Sequence, residues 1–95
     1  MANPLHVELV AVEQKVWSGD ASMLIARTTE GELGVLPGHA PLLGQLADPA
    51  RVRIQRDGAD ELAYQVNGGF LSVTDRGVTV LAESVEPAQA GADVH

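Results

Sequence analysis

A chain of 95 residues with 45% hydrophobic content builds one domain, because two cores of half that length would bury too little surface to stand alone. Thirteen acidic against six basic residues give a formal charge of −7, which opposes phosphate backbones and anionic lipid, so no nucleic acid and no direct membrane insertion are expected. The absence of cysteine excludes a disulfide framework and thiolate metal sites, and no apolar run approaches the ~20 residues of a membrane-spanning helix.

Taken in order, Leu5, Val7 and Leu9 alternate with His6, Glu8 and Val10, the period-2 pattern of a strand with one buried face. A second strand is expected over residues 12–17, closed by turn residues at Ser18-Gly19-Asp20. A third follows over 21–28, with Met23 and Ile25 on one face. After Asp48-Pro49, Val52 and Ile54 alternate with Arg51, Arg53 and Gln55, giving a half-exposed strand with a basic outer face. Residues 56–60 read as a hairpin connection, and Leu62, Tyr64 and Val66 as the returning strand. Asn67-Gly68 is a strong hairpin signal, so a further turn is expected there before strands over 70–74 and 78–82. Residues 87–95 lack apolar periodicity and are expected to form a disordered tail behind a domain of residues 1–86. The fold expected is an all-β, flattened antiparallel β-sandwich or barrel of about ten short strands.

One stretch, residues 30–43, is too broken by Gly31, Gly34, Gly38, Pro37 and Pro41 to be helical. It reads as a turn at Glu30-Gly31, a very short strand over 33–36, a tight Pro37-Gly38 turn and a return through Leu42 and Leu43. Pro37-Gly38 suits the two central positions of a type II turn, which asks for φ near −60° first and a positive φ second. His39 then lies just past the bend, at the surface.

Little in the sequence assembles a reaction centre. The three imidazoles, His6, His39 and His95, have no second ligand at a recurring spacing, so no metal is expected. Ser18, Ser22, Ser72 and Ser84 lack a Gly-x-Ser-x-Gly setting, and no Gly-Lys-Ser/Thr follows the glycine cluster; Lys15 is the sole lysine. Neither a catalytic residue nor a cofactor or small-molecule substrate is therefore assigned. Glu30 and Glu32 share a face if extended, which permits an acid and base pair, a cation site or simply two solvated carboxylates at a turn. Trp17 and Phe70 read as core or subunit-contact aromatics.

The run Glu30-Gly31-Glu32-Leu33-Gly34-Val35-Leu36-Pro37-Gly38-His39-Ala40-Pro41-Leu42-Leu43 resembles the signature of the epsilon subunit of F-type ATP synthase, in its N-terminal β domain. Leu5-His6-Val7-Glu8-Leu9-Val10, Trp17-Ser18-Gly19, Gly68-Gly69-Phe70-Leu71-Ser72-Val73 and Val78-Thr79-Val80-Leu81-Ala82 extend the resemblance over roughly residues 4 to 86. The resemblance implies a ten-stranded flattened sandwich at the foot of the rotor, without chemistry of its own, that couples the gamma subunit to the c ring during proton-driven ATP synthesis. It places the chain in a peripheral complex on the cytoplasmic face of the bacterial plasma membrane.

By matching motif positions, Glu30, Glu32 and His39 resemble the end facing the polar loops of the c ring. Gly38, Ala40, Leu42 and Leu43 resemble the segment that packs on gamma. Family members usually continue into a two-helix C-terminal domain, whereas this sequence stops soon after the sandwich; a clip role is expected without helical inhibition or an ATP site on those helices. The alternative reading, from architecture alone, is a small β-sandwich ligand-binding or carrier module.

Overall fold

In the computed structural model, which describes residues 4–88, alternation of apolar and polar side chains is converted directly into a two-faced sheet. Eight strands are present: β1 (Leu5–Ala11), β2 (Gln14–Ala21), β3 (Met23–Thr28), β4 (Gly31–Val35), β5 (Leu42–Gln45), β6 (Ala50–Gln55), β7 (Leu62–Thr74) and β8 (Gly77–Ala88). Leu5, Val7 and Leu9 of β1 are buried while His6 and Glu8 face out, and Ala50, Val52 and Ile54 of β6 do the same opposite Arg51 and Arg53.

The strands form one hydrogen-bonded path, β2-β1-β8-β7-β6-β3-β4, with β5 added to β7. All neighbours are antiparallel except β1 and β8, which run parallel from Val7 opposite Val78 to Ala11 opposite Ala82. The path folds back on itself through its two longest members. The first half of β7 pairs with β6 (Ala50 opposite Val66, Ile54 opposite Leu62), and its second half with β5 (Leu42 opposite Val73, Gln45 opposite Phe70). β8 follows the same bend, its early residues against β1 and its late ones, from Ser84 to Ala88, against the first half of β7. Two layers result, and their facing sides merge in one apolar cluster that includes Leu9, Leu24, Val35, Ile54, Val66, Leu71 and Val80. Each of these side chains is completely buried, and burying one such side chain contributes about 1.5–3 kcal/mol.

The path ends at β2 on one side and β4 on the other, so the sheet does not close into a barrel; the sandwich form of the expectation is the one observed. The expected ten short strands are eight, because β7 and β8 each run unbroken through both layers. Counted by layer they supply two segments apiece, which restores ten. Asn67-Gly68 is accordingly not a hairpin. Gly68 has φ +63°, yet Asn67 pairs with Ser84 and Gly69 with Ala82 in the same register, with Gly68 and Glu83 passed over between them. The left-handed glycine bends the strand from one layer into the other instead of reversing it.

Other boundaries shift for identifiable reasons. The second strand, expected over residues 12–17, starts later and runs further: β2 begins at Gln14, and Val12 is 69% exposed in the β1–β2 turn. Ser18, Gly19 and Asp20 lie inside β2, opposite Glu8, Val7 and His6. Gly19 leaves room for the Trp17 ring, whose carbons come within 2.9 Å of where a Cβ would stand. β3 begins at Met23 because Ser22 turns its N–H and hydroxyl onto the Gln55 carbonyl, at 2.7 and 2.9 Å. Met23 and Ile25 share a face, the outer one, and Leu24 and Ala26 are the buried pair. Pro87 and Ala88, expected in the tail, continue β8 opposite Tyr64 and Ala63, whereas residues 89–95 lie outside the described residues.

Candidate functional site

The glycine- and proline-rich corner is built from two turns with separate chemistry. The first joins β3 to β4 through Thr29 and Glu30, with Thr28 paired to Gly31. The Thr28 hydroxyl donates to the Gly31 carbonyl at 2.7 Å and accepts the Glu30 N–H at 3.1 Å, which fixes the tip and leaves the Glu30 side chain in solvent. Glu32 follows in β4, exposed, opposite Arg27 of β3. A groove of about 460 Å³ runs beside this hairpin and is lined by Glu30, Glu32, Leu33, Leu42 and Leu43 among others. Carboxylates and leucines in one lining suit a cationic side chain with an aliphatic stem.

The second turn is Leu36-Pro37-Gly38-His39. The His39 N–H donates to the Leu36 carbonyl at 3.1 Å and Gly38 has φ +84°, the combination a type II turn requires. The His39 Nδ1 donates to the Ala40 carbonyl at 2.7 Å, so that nitrogen carries the proton. Gly38, His39 and Ala40 do not line the groove, and Pro37 belongs to a different cavity, with Pro4 and Arg56. The structure thus gathers Glu30, Glu32, Leu42 and Leu43 at one groove and leaves Gly38, His39 and Ala40 on the connecting arm.

A second surface, in which Leu81 joins Leu43 and Phe70, both already singled out in the sequence, lies on the outer side of the layer holding β5. Leu43 is 72%, Phe70 43% and Leu81 37% exposed. Phe70 stands opposite Leu81, which in turn stands opposite Val10 across β8 and β1. Leu43 and Phe70 border a further groove of about 440 Å³ with Gly44, Gln45 and Gly69. The run Phe70-Leu71 is apolar on both faces, so periodicity gave no sign of which side chain would be left outside.

Charge is organised at the β1–β2 edge. The His6 ring meets Glu8 at 3.1 Å and Asp20 at 3.4 Å, and Lys15 reaches the other Glu8 oxygen at 3.4 Å. Hydrogen bonds to Glu8 and then to Asp20 raise the pKa of His6; those from His6 and then Lys15 lower that of Glu8. Among the described residues no group of three His, Cys, Asp or Glu side chains is placed to hold a metal, and no helix is long and apolar enough to cross a membrane.

Residues 4–88 match the family described as the beta-sandwich domain of the ATP synthase Delta/Epsilon chain. The ATP synthase epsilon chain of Mycobacterium avium (strain 104) is 58% identical over 82 residues, an alignment covering 86% of this chain and 68% of that one. That of Mycobacterium tuberculosis (strain ATCC 25177 / H37Ra) is 56% identical over the same length and shares. Among solved structures, a chain of the Euglena gracilis mitochondrial ATP synthase, OSCP/F1/c-ring in rotational state 1, superposes with a TM-score of 0.81 at 28% identity. The superposition covers 88% of this chain and 53% of that one, so the present chain spans about half the Euglena chain's length. A chain of the Tetrahymena thermophila mitochondrial ATP synthase central stalk and c-ring shares the fold at a TM-score of 0.67 and 17% identity, over 88% of this chain and 66% of that one. With the family model spanning residues 4–88 and a relative 58% identical over 82 residues, the chain belongs to the ATP synthase delta/epsilon chain β-sandwich family.

Proposed function

We propose that this chain is a central-stalk subunit of a bacterial F-type ATP synthase, fastening the gamma subunit to the c ring so that rotation driven by protons reaches the catalytic head. The observation that carries this reading is the family match over residues 4–88, joined to relatives named ATP synthase epsilon chain. In this role the domain performs no bond chemistry. Its useful property is stiffness, and β7 and β8 supply it: both run unbroken through the two layers, so a load on one layer passes covalently to the other. Opening such a sandwich requires many cross-strand contacts to break together.

Two surfaces divide the work. Glu30 and Glu32, with His39 on the neighbouring arm, face the polar loops of the c ring, where a carboxylate pair offers an arginine a charge-assisted contact. The apolar surface of Leu43, Phe70 and Leu81 lies against gamma, with Gly38, Ala40 and Leu42 completing the packing. The first contact is polar and the second partly apolar, the usual contrast between interfaces that orient and interfaces that hold. The domain sits peripherally at the cytoplasmic face of the membrane, held by protein contacts.

Size-exclusion chromatography and calorimetric titration with the matching gamma subunit, at low and high salt, test the proposal. Stoichiometric binding that largely survives salt is expected. Failure to bind a folded gamma subunit overturns it.

A further inference from the structure

The three strand edges of this sandwich are not equally guarded. Natural sheets blunt an edge with lysine, proline, a bulge or a covering segment, since an open row of N–H and C=O groups invites another chain. β2 carries Lys15, a register shift opposite Leu9 and Val10, and the Trp17 ring laid over Gly19. β5 follows directly on Pro41, and the backbone of Thr28 and Thr29 ties down its far end through the Thr29 N–H to Gln45 bond at 3.0 Å and the Thr28–Leu46 bridge. β4 has none of these devices: it contains no proline or lysine and pairs in regular register with β3 along all five of its residues.

The register also says which groups point outward. The Thr29-Glu30 turn is closed by the pair Thr28–Gly31, so hydrogen-bonded pairs recur at Leu33 and Val35, and the N–H and C=O of Glu32 and Gly34 are directed away from β3. Among the described residues nothing pairs with that side of β4. The chemistry beside it is acidic: Glu30 and Glu32 are exposed on the hairpin that β4 forms with β3, and they share the lining of one groove with Leu33, Leu42 and Leu43. Pairing of β4 with β4 of a second copy would set these carboxylates against each other in two chains that each carry a charge of −7.

We propose that the outer edge of β4 takes up an extended segment of a partner protein that carries arginine or lysine at alternate positions. The segment joins the sheet through the backbone groups of Glu32 and Gly34, and its basic side chains lie on Glu30 and Glu32. This strand addition shares Glu30 and Glu32 with the ring-facing surface proposed above, and its readout, backbone exchange at Glu32 and Gly34, is separate from ring attachment.

The test is residue-resolved amide hydrogen exchange of the 95-residue chain, with and without a short peptide in which arginine alternates with valine and threonine. Alone, Leu33 and Val35 are protected while Glu32 and Gly34 exchange quickly. With peptide, Glu32 and Gly34 slow by roughly tenfold or more, and the same peptide with glutamate in place of arginine has no effect. Gly34→Pro removes one outward N–H without breaking the ladder to β3, and is expected to weaken the basic peptide by roughly tenfold. Should that variant unfold, Glu32→Gln supplies the second measure: the peptide weakens and loses much of its salt dependence. Unchanged exchange at Glu32 and Gly34 under saturating peptide overturns the proposal, as does protection that appears at β2 instead. Protection of β4 that grows with protein concentration in the absence of peptide also overturns it, because the occupant is then a second copy.

Discussion

Gly69 lies so close to Leu81 that a Cβ at position 69 would overlap the Leu81 carbonyl oxygen, and it would stand 2.6 Å from the Ala82 Cα. This close approach occurs where β7 and β8 bend together from one layer into the other, and neither neighbour is a flexible side-chain end. Gly69→Ala is therefore expected to cost about 2–3 kcal/mol, seen as a melting temperature lower by roughly 10 °C or more. A variant that melts like the parent would show that the two strands can separate at the bend without penalty.

Gly38 presents the opposite case, since no atom lies within 4 Å of a Cβ built there and only its φ of +84° resists substitution. Gly38→Val is expected to lose about 1–2 kcal/mol from backbone strain alone, measured by urea unfolding. Gly38→Asn should lose clearly less, because asparagine tolerates the left-handed region.

The His6 cluster gives stability a small pH dependence with two signs. The folded pKa of His6 is raised above its ordinary 6.5, so its contribution is complete below pH 6.5 and disappears as pH rises through the raised value. The folded pKa of Glu8 is lowered from 4.5, so its contribution is present above pH 4.5 and disappears as pH falls through the lowered value. The cluster thus helps most between about pH 4.5 and 6.5. Urea midpoints recorded across pH should show His6→Gln flattening the alkaline side of that window. Both side chains are partly exposed to solvent, which screens the pair, so the change is modest.

Glu32→Lys is expected to leave folding within about 0.5 kcal/mol of the parent, because the residue is exposed on an edge strand. Attachment to purified c ring, followed by co-sedimentation, should weaken, and the deficit should shrink as salt is raised. Ring attachment indifferent to this reversal would remove Glu32 from the ring-facing surface.

Leu43→Asp separates binding from stability in the same way. The side chain is 72% exposed, so unfolding should hardly change. Affinity for gamma should fall by roughly tenfold or more on the packing proposed above, which would bury the new carboxylate without a partner. Equal affinity would move the gamma surface away from the Leu43 and Phe70 side.

Much of this molecule was legible in its sequence, for a local physical reason. Alternation at Leu5, Val7 and Leu9, and at Val52 and Ile54, names the buried face whatever the strand pairs with, because side chains in a strand alternate strictly. Pro37-Gly38 specifies its turn through the φ values of two residues alone, and the structure has that turn. Glu30 and Glu32 were legible as exposed carboxylates for the same kind of reason.

What tertiary structure decided concerns choices that local chemistry leaves open. A left-handed glycine at position 68 is compatible with a hairpin reversal and with a bend inside a strand, and the long register of β7 with β8 selects the bend. The apolar pair Phe70 and Leu71 could bury either side chain; the pairing of β7 with β5 and β8 puts Leu71 inside and leaves Phe70 out beside Leu43 and Leu81. The gathering of Glu30 and Glu32 with Leu42 and Leu43, and the unguarded side of β4 next to them, likewise depend on contacts between residues far apart in the chain, where periodicity carries no information.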